Sequence, residues 1–416
     1  MKKNNDKLKN IICYVLVFSY LYFSHDTLLF GTNIAEQFIL VRKVVPFLTL
    51  LLILLIFHRD LVFTYKNIFF LALLLFLPIV SCLVNAEEYP NYLYRFIIIL
   101  NAGLLALLDK KYDVADKFIK VMVFLTTWSL ITFVLFNVSP SFVSMLPRFV
   151  NTSNNYFATT IFSSTPINQN VLYGFSRNHG IFREPGVFMI FLIASLLFEF
   201  KKTGKPKHSR IVIFILGLLS TGSSAGLISL VLVLVYLILF KLELKHKMIL
   251  SMVVLVTGIF AYRYFGESAV AAKLTYGSNS YGSFYTRFMS LTKNLKIAFE
   301  NPLFGYGRYR LYGTQLAADR IYSATDNTNT LLIGFAAYGL LFGFVTLIGL
   351  LKYSAINEKN IFSAVLIFLI LFLTFSNEDM GQNVIYYYIV FIGLYSKWRI
   401  NKTQTSYRYK NKYNET

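Results

Sequence analysis

Charged residues are scarce in this chain, since Asp, Glu, Lys and Arg make up only 14% of its 416 residues. A soluble globular protein carries about 25%. Hydrophobic residues account for 56%, and apolar runs close to the ~20 residues that a helix needs to cross a bilayer recur along the whole length. The scarcity of charge excludes an ordinary soluble protein, and the apolar runs predict a polytopic membrane protein.

Cysteine is scarcer still, with Cys13 and Cys82 as the only two. Both fall inside apolar runs, so we expect neither a disulfide framework nor a thiolate metal site. A small-residue cleavage site is also missing after the first apolar run, which follows the basic segment Met1–Asn10. This run is therefore interpreted as a retained first helix and not as a signal peptide.

Acidic residues are half as numerous as basic ones, 20 against 40, which gives a net charge of +20. Such a charge could indicate a nucleic-acid partner, but membrane proteins concentrate Lys and Arg in their cytoplasmic segments. Segments that alternate with the apolar runs hold 26 of the 40 basic residues: 1–10, 58–66, 109–120, 201–210, 241–247, 352–360 and the tail from 397. The short loops between them, at 24–38, 85–90 and 377–382, hold none and carry acidic residues instead: Asp26, Glu36, Glu87, Glu88, Glu378 and Asp379. We therefore expect both termini in the cytoplasm and no nucleic acid as a partner.

The predicted fold class is all-α, with about twelve transmembrane helices in a single integral membrane domain over residues 1–416. The predicted spans are 11–29, 39–57, 67–84, 91–108, 118–138, 186–200, 210–222, 224–240, 247–265, 329–351, 360–376 and 383–396. Two long extracytoplasmic loops are predicted at 139–185 and 266–328, and a cytoplasmic tail at 397–416.

The two long loops depart from the charge pattern, because they contain ten Lys or Arg, seven of them arginine. These residues are Arg148, Arg177, Arg183, Lys273, Arg287, Lys293, Lys296, Arg308, Arg310 and Arg320. Long loops translocate regardless of charge, so one interpretation is that they are merely tolerated. The other is a site for an anion such as phosphate or pyrophosphate, since the planar guanidinium binds phosphate oxygens in a bidentate way.

The first long loop ends in a charged stretch, Arg177–Gly186, that runs directly into an apolar segment. Charges at the mouth of a membrane helix are costly unless they are used. Arg177 and Glu184 could pair as a structural salt bridge, and Glu184 beside Pro185 also suits an ordinary helix start. His179 is interpreted either as a hydrogen-bonded loop residue or as a base.

The second long loop contains a predicted helix, Tyr281–Glu300, with an apolar face and a polar stripe that includes Arg287. Such a helix suits the membrane surface, with Arg287 either solvated or used in a site. Asp326 and Asn327 come shortly before the span 329–351. They are good N-cap residues, and Asp326 is also a candidate general base at the mouth of that helix.

These elements resemble those of bacterial O-antigen and capsule repeat-unit polymerases, the Wzy-like proteins of the polymerase/O-antigen ligase superfamily. The resemblance is carried by Arg177-x-x-Gly180-Ile181-Phe182-x-Glu184-Pro185-Gly186, Ser223-x-x-Gly226, Arg287 with Asn301-Pro302-Leu303-Phe304-Gly305-x-Gly307, and Asp326-Asn327-x-x-x-Leu331. Two positions depart from the family pattern. The ligase branch has His where this chain has Asp326, and many members have a basic residue where Ser224 stands.

The resemblance implies a GT-C-like membrane enzyme on the outer face of the bacterial cytoplasmic membrane, acting by inverting glycosyl transfer without a metal or other cofactor. The donor would be a glycan on undecaprenyl pyrophosphate, and the acceptor an incoming lipid-linked repeat unit. Membrane lipids, a flippase and a chain-length regulator would be further partners. The implied roles are pyrophosphate binding for Arg177 and Arg287, secondary contacts for Arg183, Arg308 and Arg310, a base at Glu184 or Asp326, and further candidates at His179 and Asn327.

Two other functions fit parts of the sequence. A ligase that moves finished glycan to another acceptor shares the same chemistry. A flippase or transporter of lipid-linked oligosaccharide would place ionisable residues near the bilayer midplane. The basic residues predicted inside spans with that potential are Arg42, Lys43 and Arg95, and each lies near the end of its span.

Overall fold

The computed structural model describes residues 2–31, 38–150, 156–167, 171–172, 175–202, 206–241, 247, 279–312 and 328–396. These residues are mostly helical. The helices are α1 (Lys2–Tyr22), α2 (Ile39–Phe57), α3 (Tyr65–Val84), α4 (Tyr89–Tyr112), α5 (Val114–Val138), α6 (Pro140–Met145), α7 (Pro185–Lys201), α8 (His208–Thr221), α9 (Ser224–Tyr236, continued by a π-helical turn Leu237–Lys241), α10 (Asn279–Glu300), α11 (Thr330–Tyr338), α12 (Leu340–Ala355), α13 (Ile361–Phe375) and α14 (Val384–Tyr395). The predicted span 247–265, apart from residue 247, and the predicted tail 397–416 lie outside the described residues.

Several helices have the length and composition of membrane spans. Among the described residues five qualify: Leu40–Phe57, Tyr65–Val84, Tyr92–Tyr112, Val114–Val138 and Ser224–Lys241. The apolar helices α8, α12, α13 and α14 are shorter. A helical protein embedded in a membrane by several passes is thereby confirmed, whereas the number twelve and the orientation stay predictions from the sequence.

The bundle is built around α7, in which every residue from Pro185 to Lys201 is buried. A helix that the protein covers on every side lies in the interior and has no face exposed to solvent or lipid. Its neighbours are α5, α8, α9 and α13. The charged stretch Arg177–Gly186 therefore leads into the central helix, which fixes its position relative to the whole bundle.

Two predicted spans differ from the structure. The span 329–351 is two helices, α11 and α12, separated at Gly339, whose φ is +89°. The break arises from tertiary contact, because the N–H of Leu340 donates to Pro302 O (2.8 Å) and the chain of Leu303 lies where a Gly339 side chain would be. The first span, predicted to reach residue 29, ends at Tyr22, and the chain then folds into turns in which Leu28 N–H donates to Ile181 O (2.9 Å).

The first long loop contains strands, which the sequence did not predict. Three strands form an antiparallel sheet in the order β1-β2-β3, and two more form a hairpin. They are β1 (Arg148–Val150), β2 (Tyr156–Thr160), β3 (Ser163–Ile167), β4 (Val171–Leu172) and β5 (Phe175–Ser176). The sheet is fixed to α5, where Thr132 Oγ1 donates to Ser163 Oγ (2.6 Å), and it holds the charged stretch, where Ser164 N–H donates to Gly180 O (2.8 Å).

The opposite end of the bundle is held by a separate set of ion pairs. Asp116 of α5 pairs with Arg210 of α8 (3.0 Å) and Lys120 (2.8 Å), and Lys201 at the end of α7 pairs with Glu358 (3.1 Å). These contacts join segments that the charge pattern assigns to the cytoplasmic side. Because both ends of α7 are fixed, the central helix cannot shift along its axis without breaking ion pairs.

Helices α12 and α14 approach closely at a pair of glycines, and we predict that alanine will not fit there. A Cβ on Gly393 would lie 1.9 Å from Gly349 O. The variant Gly393→Ala forces the helices apart, so we expect a loss of about 1–3 kcal/mol in stability, measured as a lower melting temperature in detergent. Gly334→Ala is the matched control, because its new methyl meets only the Phe342 ring at 3.3 Å. Equal melting temperatures for the two variants would contradict the prediction.

Candidate functional site

Six ionisable residues from four parts of the chain meet at the end of the bundle where α7 begins. We call them the arginine cluster: Asp26, Arg177, Arg183, Glu184, Arg287 and Glu378. Asp26 follows α1, Arg287 lies on α10 and Glu378 lies in the loop between α13 and α14. Residues far apart in the sequence are thus brought to one place by the helix packing.

The backbone of Arg177–Gly186 is held by contacts on both sides. Asn178 N–H donates to Ser220 O (3.0 Å) at the end of α8, and Arg183 N–H donates to Asp26 O (2.9 Å). Gly180 has a φ of +55°, and Asn178 Oδ1 accepts from its N–H (2.9 Å). A residue with a side chain would be strained in this left-handed conformation, so the backbone conformation explains why the motif has glycine at position 180.

Arg183 is committed to contacts within the protein. Its Nη1 lies 3.2 Å from Glu184 Oε1, its Nη2 lies 3.1 Å from Glu378 Oε2, and its Nε lies 3.6 Å from Asp26 Oδ1. Burial lowers the pKa of the guanidinium, but the three carboxylates outweigh this effect and raise the pKa above its ordinary value. The sequence predicted a secondary pyrophosphate contact here, whereas the structure places Arg183 as the bridge between three acidic side chains.

Arg177 has no such bridge. Its Nε donates to Thr221 O (2.9 Å), one of the free carbonyl groups at the C-terminus of α8. Burial lowers its pKa, the nearby Glu184 raises it and the nearby Arg287 lowers it. The suggested salt bridge to Glu184 is not formed, because within the described part of the chain Arg177 makes no ion pair.

Arg287 faces the protein and not the solvent. The helix around Arg287 was predicted correctly, but its polar stripe points inward, since Ser290 and Asn294 are 1% and 0% exposed. Its apolar residues are outside, with Phe288 54% and Phe299 70% exposed. This orientation suits a helix whose apolar side contacts lipid. Arg287 is half-buried, and no described residue forms an ion pair with it.

Glu378 belongs to the cluster, although no sequence motif includes it. It is 8% exposed, and its Oε2 accepts from Arg183. Burial and then the neighbouring Glu184 raise the pKa of Glu378 to about 7, against the opposing effects of Arg183 and Arg287. The sequence signal was its place in a short acidic loop on the same predicted side as the arginines. Asp26 carried the same signal.

Arg308 and Arg310 lie beside a second set of acidic side chains, outside the arginine cluster. Arg308 forms an ion pair with Asp379, next to Glu378 in the chain. The backbone N–H groups of Arg308, Tyr309 and Arg310 donate to the carboxylate of Glu87 at 3.0, 2.8 and 2.7 Å. Consecutive N–H groups around one anion form a nest, and here the nest holds a side chain of the protein itself. The Arg310 side chain is exposed, and no described contact joins it to the arginine cluster.

His179 lies beneath the surface. It is 4% exposed, and its ring packs against Phe157 with centroids 6.1 Å apart. Burial and then the charge of Arg177 lower its pKa to about 3, so the imidazole is neutral at physiological pH. The structure therefore places His179 in the packing of the loop.

Asp326 and Asn327 lie outside the described residues. The described chain resumes at Thr328, whose N–H donates to Ser290 Oγ on α10 (3.1 Å). Asn329 caps α11, with its Oδ1 accepting from Leu332 N–H (2.9 Å), and Thr330 Oγ1 donates to Glu378 O (2.7 Å). The start of α11 is thus joined to both α10 and the loop that carries Glu378.

Comparison with models of known families and with curated proteins gave no match.

Proposed function

We propose that this protein is a polymerase of lipid-linked oligosaccharide repeat units, which joins them by glycosyl transfer at the outer face of the bacterial cytoplasmic membrane. The observation that supports this most strongly is the pairing of Arg177 with Arg287. The two come from different loops, burial and the charge of Arg287 lower the pKa of Arg177, and neither arginine makes an ion pair with a described carboxylate. Two half-buried like charges are unfavourable side by side unless an anion joins them.

A lipid diphosphate is the anion that fits the proposed reaction. When the bond between the anomeric carbon and the diphosphate oxygen breaks, the electron pair stays on the diphosphate. Guanidinium groups placed where this charge develops lower the barrier. Arg177 and Arg287 are assigned to this role because they alone among the cluster arginines make no ion pair with a described residue. The positive charge comes from the protein, so the proposed reaction uses no metal or other cofactor.

The acceptor is the hydroxyl of a second repeat unit, which attacks the anomeric carbon from the opposite face and inverts it. A base must take the hydroxyl proton. Glu184 is the most exposed of the three carboxylates in the cluster, with 47% of its side chain exposed. Its side chain makes no capping hydrogen bond to α7. Asp326 is the other candidate that the resemblance names. Arg183 is assigned to holding the carboxylates in place.

The isoprenoid tails of both substrates would lie in lipid, and α10 supports this part of the proposal. Its exposed apolar side continues through Leu303, which is 71% exposed, to Leu341 of α12, which is 50% exposed. Pro302 and Leu340 are joined by a hydrogen bond, so these two leucines are close in space. The polar side of the same helix carries Arg287 into the cluster. A diphosphate head group could therefore reach the arginines while its tail stays in the bilayer.

A transporter is less well supported. Arg42 and Arg95 are buried within helices, yet both belong to the outer part of the proposed orientation. Arg95 Nε donates to Gly381 O (3.1 Å) in the loop that carries Glu378. These cations therefore extend the arginine cluster and do not form a second site near the midplane.

The test is an assay with the purified full chain in detergent or nanodiscs. Lipid-linked repeat units extracted from cells that lack this protein serve as substrate, and the products are sized by gel. We expect a ladder of chain lengths that is unchanged by EDTA. Absence of any ladder would contradict a polymerase, and loss of the ladder with EDTA would contradict the metal-free mechanism. In cells, single-repeat glycans after deletion support a polymerase, whereas unattached long chains support the ligase alternative.

A further inference from the structure

The loop between α13 and α14 brings two polar side chains into the arginine cluster that no motif of the sequence contains. Glu378 lies with its Oε2 on Arg183, and the described residues give its other oxygen, Oε1, no hydrogen-bond donor. Asn377 is 2% exposed, and neither its Nδ2 nor its Oδ1 has a partner within the described part of the chain. Buried amides are nearly always satisfied, so an unsatisfied one beside an ionisable group points to a ligand.

The position of this loop is fixed by two segments, the start of α11 and the start of α7. Thr330 Oγ1 donates to Glu378 O (2.7 Å), and Met380 N–H donates back to Thr330 Oγ1 (2.8 Å). Asn377 packs so tightly on the first turn of α7 that a Cβ at Gly186 would lie 2.7 Å from its Nδ2. The loop therefore presents Glu378 in one place relative to Arg183 and the start of α7.

We propose that Glu378 is the catalytic base that takes the proton from the acceptor hydroxyl. This inference rests on the proposed function. In the step, the acceptor oxygen forms a bond to the anomeric carbon while the bond from that carbon to the diphosphate oxygen breaks. The hydroxyl proton moves to Glu378 Oε1, and the electron pair of the broken bond leaves with the lipid diphosphate between Arg177 and Arg287. Glu378 then returns the proton to water.

Charge and burial distinguish Glu378 from Glu184. A base works best when its pKa is close to the working pH, and Glu378 reaches about 7 through burial and the charge of Glu184. The groups facing it are Arg183 and Glu184 from the charged stretch and Arg287 from α10. In this arrangement Glu184 helps to raise the pKa of the base, and Arg183 holds its second oxygen. The role of Glu184 becomes one of positioning and electrostatics.

The experiment measures initial polymerisation rates against pH for purified protein with the extracted lipid-linked repeat units. For the wild type we expect an acidic limb, with the rate falling below an apparent pKa near 7 because the base must be ionised. For Glu378→Gln we expect a loss of at least 100-fold in kcat with KM changed less than threefold, and a flat acidic limb. Glu378→Asp should keep measurable activity with a shifted limb. Glu300→Gln, an exposed carboxylate on α10, is the matched control and should keep the wild-type profile.

The outcomes separate this inference from the proposed function. If the wild type forms a ladder and Glu378→Gln forms it at the same rate and with the same acidic limb, the inference is wrong and the polymerase stands. If Glu184→Gln instead removes the limb, the base is Glu184 and the inference is wrong. If the wild type forms no ladder, both fail. Elution volume and melting temperature of each variant verify folding, and should Glu378→Gln not fold, a Glu378→Asp profile identical to the wild type would overturn the inference.

Discussion

Replacing Arg287 by alanine will lower the rate of polymerisation by about two to three orders of magnitude, with little change in the melting temperature. Removal of one donor to a developing oxyanion costs about 10²–10³ in kcat, or roughly 3–4 kcal/mol of transition-state stabilisation. Arg287 makes no ion pair with a described residue, so its loss leaves no carboxylate of the described chain without a partner. The folded state should therefore tolerate the change while the reaction does not.

Arg287→Lys tests the same idea more finely. Lysine keeps the charge but loses the planar fork that binds two phosphate oxygens at once. We expect the lysine variant to recover only a small part of the lost rate. Lys296→Ala is the matched control on the same helix, because Lys296 is half exposed and faces away from the cluster. A wild-type ladder from Arg287→Ala, at matched protein amounts, would contradict a diphosphate site at this end of the bundle.

Arg177→Ala should cause a similar loss of rate, together with some loss of stability. The reason is the hydrogen bond from Arg177 Nε to Thr221 O, which satisfies a carbonyl at the end of α8. The combined variant with Arg287→Ala shows whether the two arginines act on one anion. Side chains that hold the same diphosphate are coupled, so the double variant should lose less than the product of the two single losses.

The sequence predicted the class of protein and the boundaries of many helices, because apolar runs and breakers act locally. It predicted the start of α2 at residue 39 and the break between α8 and α9 at Ser220–Gly226. The break within 329–351 was missed, because contact with the chain at Pro302 interrupts the helix at Gly339 and the neighbouring residues in the sequence do not. The sheet at 148–167 was missed because its strands pair with one another and contact α5, which the local spacing of residues does not reveal.

The candidate site could be predicted only in part, and again the reason is physical. Motifs near one another in the chain supplied Arg177, Arg183 and Glu184, and amphipathic spacing supplied Arg287. The same spacing did not reveal that the polar face of α10 points inward, because in a membrane the apolar face turns to lipid. Glu378 came from neither source. It enters the cluster through the packing of α13 and α14, which places a short acidic loop over the start of α7.

Replacing Arg183 by methionine will have the largest effect on stability. This side chain pairs with Asp26, Glu184 and Glu378, of which Asp26 is almost fully buried. Breaking a buried ion pair by removing one partner costs about 3–5 kcal/mol, because the other charge is left uncompensated. We expect a sharply lower melting temperature in detergent and a lower yield of folded protein. Arg148→Met, an exposed arginine of the same loop, is the control.

The stability of the Arg183→Met variant should depend on pH, because the carboxylates that Arg183 contacts remain in the protein. Folding raises the pKa of Glu378 from 4.5 to about 7, so the native state binds this proton more tightly than the unfolded chain does. Its contribution to stability is complete below about pH 4.5 and is lost as the pH rises through 7. Without Arg183 the pKa rises further, so Arg183→Met should melt much lower than the wild type at pH 8 and approach it at pH 5.

A second substitution tests whether repulsion between the unpaired carboxylates causes the loss of stability in Arg183→Met. Arg183→Met combined with Glu378→Gln removes one of the unpaired carboxylates, so it should recover part of the lost melting temperature at pH 8. The recovery should be small at pH 5, where Glu378 is already protonated. If Arg183→Met instead melts like the wild type but loses polymerisation completely, Arg183 contacts the substrate diphosphate, as the motif alone suggested, and its assignment as the bridge between the carboxylates is wrong.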